Sequence, residues 1–395
     1  MLSQKTIDIV KSTVPVLEQH GRTITTVFYK NMFEAHPELL NVFNHVNQAQ
    51  GRQQNALANT VYAAAANIDN LGAILPAVVQ IAHKHKSLGI TEDQYPIVGF
   101  HLLGAIKEVL GDAATPEIIG AWGEAYGVIA DAFIGIEKEM YDKAEQADGG
   151  WRSFKEFKIT DKVAESDVIT SFYLKPVDGD KLHAYKPGQY ITVRTQIPGE
   201  EYTLNRQYSL SQAETGDVYR ISVKREDEIN PNGKVSVFLH REMNVGDTLE
   251  VSVPAGDFYL NMESTNPVTL ISGGVGITPM MSMYETIAKT SPERPVAFLH
   301  SARTRKHQAF DTVLEKLNDS LSNSTYAVLY SEEGDGFINR DFLNANVLEG
   351  SDIYVCGPTA FMQVIIKDLY ALGIPEEKIH FEFFGPAVQL ELAHA

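Results

Sequence analysis

One break constrains the fold of this chain more than any other feature. At Ala147-Asp148-Gly149-Gly150 the texture of the sequence changes. Before it, helix formers dominate and strand-like alternation is scarce. After it, short runs rich in β-branched and aromatic residues are bounded by Gly, Pro and Asp. Two glycines behind a charged helix end stop the helix and begin a linker. A chain of this kind does not close around one core. At roughly 100–200 residues per domain, 395 residues make two to four units.

The part before the break predicts an all-helical domain over residues 1–147. Ser3 is placed to start a helix that runs from Lys5 through Glu18, and Pro37, Gly51, Pro76, Pro96 and Pro116 fall at helix boundaries. Val78, Ile81, His85 and Leu88 recur at helical spacing on one face. Segments from Pro96 to Leu110 and from Pro116 to Tyr141 complete the unit.

After the break, Ser171–Leu174, Tyr190–Thr195, Tyr219–Lys224 and Thr248–Val253 read as strands of an antiparallel β-barrel over 148–262. From 263 to 395 strands alternate with helices. Val268–Ser272, Val296–Ser301, Tyr326–Ser331 and Ile353–Cys356 are strand candidates, with helices at Phe310–Leu317 and Ala360–Leu372. That alternation predicts a parallel α/β unit.

Chemistry begins at the turn after the first of these strands, Gly273-Gly274-Val275-Gly276-Ile277-Thr278-Pro279. Glycines let a backbone approach a pyrophosphate closely, and a helix N-terminus faces the anion with free N–H groups. Thr278 is placed to cap the helix and Pro279 to open its first turn. The last glycine of the usual dinucleotide fingerprint is replaced by Pro279, so a capped turn without a ligand stays open on this segment alone. A second turn, Cys356-Gly357-Pro358, ends another strand, and two such turns can line one crevice.

Upstream, Arg206-Gln207-Tyr208-Ser209 suits a flavin. Arginine forks onto phosphate, tyrosine stacks, and a serine hydroxyl reaches a ring nitrogen. Gly233-Lys234-Val235-Ser236 opens a short helical stretch at Val237–His240 whose N-terminus can take a phosphate. In order, Arg-x-Tyr-Ser, Gly-x-x-Ser, Gly-Gly-x-Gly-x-x-Pro, Cys-Gly-Pro and the C-terminal Phe383-Phe384-Gly385-Pro386 resemble the ferredoxin reductase family over about residues 151–386. The resemblance implies FAD contacts from Tyr190, Arg206, Gln207, Tyr208, Ser209, Lys224 and Ser236. It implies NAD(P)H contacts from Gly274, Val275, Gly276, Ile277, Thr278, Pro279, Cys356, Gly357 and Pro358. Phe384 would lie near the flavin ring where the nicotinamide enters.

A flavin that takes hydride in pairs can release single electrons, so a one-electron acceptor on the same chain makes sense. The one cysteine, Cys356, rules out a four-cysteine iron–sulfur cluster, a covalent c-type haem and any intrachain disulfide. Haem with a histidine ligand remains. His20, His36, His45, His83, His85 and His101 lie in the helical part. His83 and His85 are about 200° apart around a helix, and only His85 shares the apolar face. On that evidence it is either a ligand or a satisfied core histidine.

The order Phe28-Tyr29, Pro37-Glu38-Leu39, Phe43, Gln53, Leu57, Lys84-His85 and Tyr95 is similar to bacterial haemoglobins, and the whole chain resembles flavohaemoglobins. The resemblance implies His85 as proximal iron ligand of a haem b, flanked by Tyr95 and Glu137. It implies Phe43 packed on the porphyrin and Tyr29, Gln53 and Leu57 around the distal face. Lys84 and Glu382 would pair across the globin–reductase junction. The implied activity is nitric oxide dioxygenation: electrons from NAD(P)H pass through FAD to haem, and O2 and NO leave as nitrate. Two other readings stay open, a haem-based gas sensor or oxygen store with an attached reductase, and a flavin or ferric reductase.

Composition bears on partners. The formal net charge of −18 and scattered basic residues exclude nucleic acid as an expected ligand. No apolar run approaches the roughly 18 residues of a membrane span, and the polar N-terminus is no signal peptide. A cytoplasmic monomer acting on small molecules is expected. The preference between NADH and NADPH stays open, with Ser301 and Arg303 near the position that decides it.

Overall fold

The computed structural model describes residues 2–228 and 230–385. Pro386, expected in the C-terminal motif, and the tail Leu390–Ala395 lie outside them. Contacts divide the chain into two units, the first Met1–Ala147 with Trp151–Phe154 and Arg194–Arg206, the second Asp148–Gly150, Lys155–Val193 and Gln207–Ala395.

The first unit is helical. Among the described residues its α-helices are α1 (Gln4–Ser12), α2 (Val14–Ala35), α3 (His45–Ala49), α4 (Arg52–Ala66), α5 (Leu75–Leu88), α6 (Gln94–Leu110) and α7 (Pro116–Gln146). The boundaries follow from local chemistry. Ser3 accepts from Thr6 N at 3.1 Å and caps α1. Gly51, at φ +69°, precedes α4, and Pro116 opens α7 behind the capping hydroxyl of Thr115. The expected helix from Lys5 through Glu18 is corrected: α1 stops at Ser12 and α2 starts at Val14. Pro15 has no N–H to continue α1 but fits the first turn of α2. Gly21 lets α2 approach α4, where an added Cβ would sit 3.5 Å from that of Ala58. Val10, Ile24, Phe28, Met32, Leu102, Ile106 and Trp122 form the core between these helices.

Arg194–Arg206 belongs to this unit for a visible reason. Thr203 N donates to Asn41 Oδ1 at 2.9 Å, and the Asn205 amide donates to the carbonyls of Asn41 at 2.9 Å and Val42 at 3.2 Å. The polar alternation of this segment gives no sign of those partners.

The second part of the chain carries two sheets. The first has the order β4-β3-β6-β1-β2-β5, built from β1 (Phe154–Ala164), β2 (Ile169–Pro176), β3 (Tyr190–Thr195), β4 (Leu204–Ser209), β5 (Tyr219–Lys224) and β6 (Thr248–Ser252). β2 pairs antiparallel with β1 and β5. An isolated bridge links Leu210, just past β4, to Ile221 on β5, the other end of this order. Helix α8 (Lys234–Arg241) lies between β5 and β6.

The second sheet is parallel, in the order β11-β10-β7-β8-β9, from β7 (Val268–Gly273), β8 (Val296–Ala302), β9 (Ser324–Tyr330), β10 (Asp352–Gly357) and β11 (Ile379–Phe383). Helices α9 (Ile277–Thr290), α10 (Asp311–Ser320), α11 (Arg340–Asn346) and α12 (Thr359–Ala371) alternate with the strands. Both faces are covered. Leu270, Phe298 and Tyr354 pack towards Met280, Met283 and Tyr284 of α9, while Ile271, Leu299 and Val355 pack towards Met362, Ile365 and Leu369 of α12. That double burial explains strands that read as apolar runs rather than alternations.

Candidate active site

His85 sits in the last turn of α5. Gly89, at φ +76°, ends that helix, and an added Cβ there would lie 2.9 Å from Ser153 Oγ. The Tyr141 hydroxyl on α7 donates to Ile90 O at 2.8 Å and pins the same corner. Above it, α7 supplies Glu137, whose side chain is 4% exposed. Glu137 Oε1 accepts from His85 Nδ1 at 2.7 Å and from the Tyr95 hydroxyl at 2.6 Å. The Phe133 ring lies 5.8 Å from the imidazole. Burial first, and then the Glu137 carboxylate, hold the Tyr95 phenol far above its ordinary range, so it stays a donor.

The consequence is a fixed tautomer. Nδ1 keeps its proton and donates it in a hydrogen bond to Glu137, which leaves Nε2 with its lone pair directed away from the carboxylate. The His85 side chain is 31% exposed. This is the donor arrangement of a metal-binding imidazole, with a carboxylate behind it that raises ligand basicity. The residues therefore fit a haem iron on Nε2.

Tyr29 on α2 is 5% exposed, in contact with the rings of Phe28, Phe33 and Phe43. Burial pushes its phenol well above the usual range, and a hydrogen bond with the Gln53 side chain pulls the other way. Gln53 and Leu57 are half-buried on α4, one turn apart, and Phe43 is half-buried beside the core. Sequence reasoning missed Phe33, Phe133 and Tyr126. Tyr126 donates to Tyr95 O at 2.6 Å. Phe33 stands four residues from Tyr29 and Phe133 four from Glu137, so helical spacing carried the signal.

Glu137→Gln keeps the shape of the carboxylate and removes its charge. Haem is expected to remain bound while turnover falls roughly 10–100-fold. Steady-state rates on haem-loaded protein check this, and an unchanged rate would dismiss Glu137 as a positioning group.

In the reductase part, β4 ends at Ser209, with Arg206, Gln207 and Tyr208 half-buried and Ser209 buried. Among the described residues the Ser209 Oγ is buried without a hydrogen-bond partner. An orphaned hydroxyl costs about 1–3 kcal/mol unless something satisfies it, so the atom fits a flavin acceptor or donor. Tyr190 forms backbone bonds with Ala255. An added Cβ at Gly256 would sit 3.0 Å from its ring. Lys224 and Ser236 already have protein partners: Lys224 Nζ lies 2.9 Å from Glu226 Oε1, and Ser236 Oγ accepts from Glu226 N at 3.2 Å. Sequence gave no hint of Glu226.

The two glycine turns meet. β7 and β10 are neighbours at the point where the chain order turns from β8 and β9 on one side to β10 and β11 on the other. Ligands bind outside the strand ends at such a switch point. Gly274 has φ +53° and open space around it, whereas a Cβ on Gly276 would lie 2.2 Å from Cys356 O and 2.7 Å from Gly357 N. Thr278 is not the cap. Helix α9 begins at Ile277 behind Gly276, and the Thr278 hydroxyl donates back to Val275 O at 3.0 Å. The 3-10 turn at Gly274–Gly276 advances the helix start. Val275 is partly buried, and Ile277, Thr278 and Pro279 are buried in that first turn. Cys356 and Gly357 end β10 and Pro358 precedes α12. Glu382 and Phe383 lie on β11, with Phe384 and Gly385 just beyond it and exposed. Lys84 is half-buried on α5.

One buried base next to this turn titrates. His300 on β8 shares a 2.8 Å hydrogen bond with Ser272 Oγ, and burial pushes its pKa down to about 4. The folded form therefore excludes a proton that the unfolded chain binds below about 6.5. Stability is full above that value and is lost as pH falls towards 4, by about 2 kcal/mol at pH 5. Acid unfolding followed by near-UV dichroism should show a shallower loss in His300→Gln. Equal slopes would remove His300 from the acid response.

Comparisons with known proteins converge on the same parts. Family models match for globin at residues 26–133, for an oxidoreductase FAD-binding domain at 156–259 and for an oxidoreductase NAD-binding domain at 270–367. The chain is 54% identical to a flavohemoprotein of Bacillus thuringiensis subsp. konkukian, over 99% of this chain and 100% of that one. Its fold is similar to a crystal structure of flavohemoglobin from Malassezia yamatoensis with bound FAD and heme, at 29% identity and TM-score 0.85, covering 97% of this chain and 100% of that one. The FAD/NAD-binding domain of nitric oxide dioxygenase from Vibrio cholerae matches at 40% identity and TM-score 0.56, covering 59% of this chain and 99% of that one.

Proposed function

The chain belongs to the flavohemoprotein family, and from that premise we propose that it is a nitric oxide dioxygenase. It draws electrons from NAD(P)H through FAD to a haem of the b type. The observation that carries the reading is the hydrogen bond from His85 to the buried Glu137, which frees Nε2 on a chain that also holds a flavin and a dinucleotide domain. When bound, haem supplies a redox-active iron for dioxygen and nitric oxide, and FAD supplies the step from a hydride pair to single electrons.

The protein does the rest. His85 would hold the iron, and Glu137 and Tyr95 hold the imidazole tautomer. Tyr29 is protonated at neutral pH as any phenol is, and burial extends that range upward, so it remains a donor on its side of the pocket. Gln53 is the second donor there. Phe43 and Leu57 supply apolar walls that exclude water. Backbone groups at Gly274 to Ile277 and at Cys356 to Pro358 hold the coenzyme. Ser209, Tyr208 and Arg206 would hold the flavin. In sum, one NAD(P)H, two NO and two O2 give one NAD(P)+, one proton and two nitrates.

Partners are small molecules, and the charge of −18 argues against nucleic acid. No helix among the described residues is long and apolar enough to cross a membrane. We read the enzyme as a cytoplasmic monomer. The test is anaerobic reduction with NADH followed by oxygen and nitric oxide. Nitrate from haem- and flavin-loaded protein is expected, and its absence overturns the activity.

A further inference from the structure

The C-terminal end of β8 carries two arginines, and carboxylates hold both. Arg303 Nη2 donates to Glu228 Oε2, in the segment between β5 and α8, and also to His307 Nε2 at 2.6 Å. Arg305 Nε lies 3.5 Å from Glu333 Oε2, with its guanidinium 4.6 Å from the Tyr330 ring centre. His307 Nδ1 is 2.7 Å from Thr304 Oγ1. The Arg303 guanidinium holds the Glu228 carboxyl below its ordinary range. Lys306, on the same turn, is exposed.

The place matters. β8 follows β7 in the chain and lies beside it in the sheet. In dinucleotide folds the end of that second strand meets the adenosine ribose. An acid there bonds the 2′-hydroxyl, and an arginine accommodates a 2′-phosphate. The sequence alone leaves the preference open near Ser301 and Arg303; in the structure the charge of Arg303 is already answered.

We propose that Glu228 sets the coenzyme preference of this enzyme, favouring NADH over NADPH by holding Arg303 and by adding a negative charge beside it. The proposal rests on reading Gly274 to Pro279 as the dinucleotide turn. A 2′-phosphate has to take Arg303 from Glu228 and then stay close to the displaced carboxylate. The pair is exposed, 44% at Arg303 and 48% at Glu228, so breaking it costs little. The remaining repulsion does not go away, and a 2′-hydroxyl meets neither effect.

The experiment compares kcat/KM for NADH and NADPH in flavin-loaded full-length protein, with ferricyanide as acceptor so that haem chemistry is not read. Glu228→Gln should raise the NADPH value about five- to tenfold and leave NADH within about twofold. The gain should shrink as salt is added. Adding Arg303→Ala to that variant should remove the gain. An unchanged NADPH/NADH ratio in Glu228→Gln overturns the proposal, and a gain that survives Arg303→Ala overturns the part played by Arg303. If neither coenzyme reduces the flavin of the unmodified protein, the dinucleotide site itself is wrong, and the proposal falls with it.

Discussion

His85→Ala is expected to cost the protein its haem. The purified variant should show no Soret band, and NO consumption should drop to background. NADH-dependent reduction of ferricyanide should persist, because the flavin and dinucleotide turns lie elsewhere in the chain. Nε2 of His85 is the position that the structure leaves free for iron, since Nδ1 is committed to Glu137 at 2.7 Å. The change also strands a carboxylate. Glu137 is 4% exposed, and without His85 it keeps only the Tyr95 hydroxyl. Leaving a buried acceptor short of a hydrogen-bond partner costs about 1–3 kcal/mol, so helical stability should fall as well. Adding Glu137→Gln removes the stranded charge and should restore stability without restoring haem. A Soret band of normal intensity in His85→Ala would refute the ligand assignment.

The second large effect is at Gly276. Its φ is −60°, a conformation that any residue adopts, so backbone freedom is not why glycine stands there. Proximity is. An alanine Cβ would lie 2.2 Å from Cys356 O, which is backbone and cannot swing aside. Either the Gly274–Ile277 turn or the Cys356-Gly357 turn must move, and both line the proposed coenzyme crevice. Overpacking of this kind costs about 1–3 kcal/mol or more. Gly276→Ala should lower kcat/KM for NADH at least about 100-fold, since small misplacements at a reacting site are that costly. Soret and flavin bands should be unchanged. Gly274→Ala is the control: its φ of +53° is strained, at about 1–2 kcal/mol, but the space is open. A smaller loss, about tenfold, is expected there. Wild-type NADH kinetics in Gly276→Ala would move the coenzyme away from this turn.

Much of this was readable before the fold, and the physical reason differs from place to place. Helix ends were legible where a single residue decides them, as at Ser3, Gly51 and Pro116. The start of α2 was equally legible at Pro15 and was passed over. His85 was legible as the histidine on an apolar face, but its hydrogen bond to Glu137 joins residues 52 apart on different helices. No local pattern encodes that. The glycine turns were legible as turns, and their contact was not, because it depends on β7 and β10 becoming neighbours. Thr278 was misread because the 3-10 turn ahead of it starts the helix two residues early. Strand β1 went unseen because a bulge between Ile159 and Asp161 breaks its alternation. Lys224 and Ser236, which the resemblance implies as FAD contacts, also bond Glu226, and no local pattern announces that partner.

The central claim is that one chain couples a two-electron donor to the oxygenation of nitric oxide. The most direct measurement is the yield of nitrate per NADH in aerobic turnover of the haem- and flavin-loaded protein under limiting NO. The account predicts two nitrates for each NADH oxidised, with one O2 consumed per NO. NADH oxidation that proceeds with no nitrate formed would contradict it.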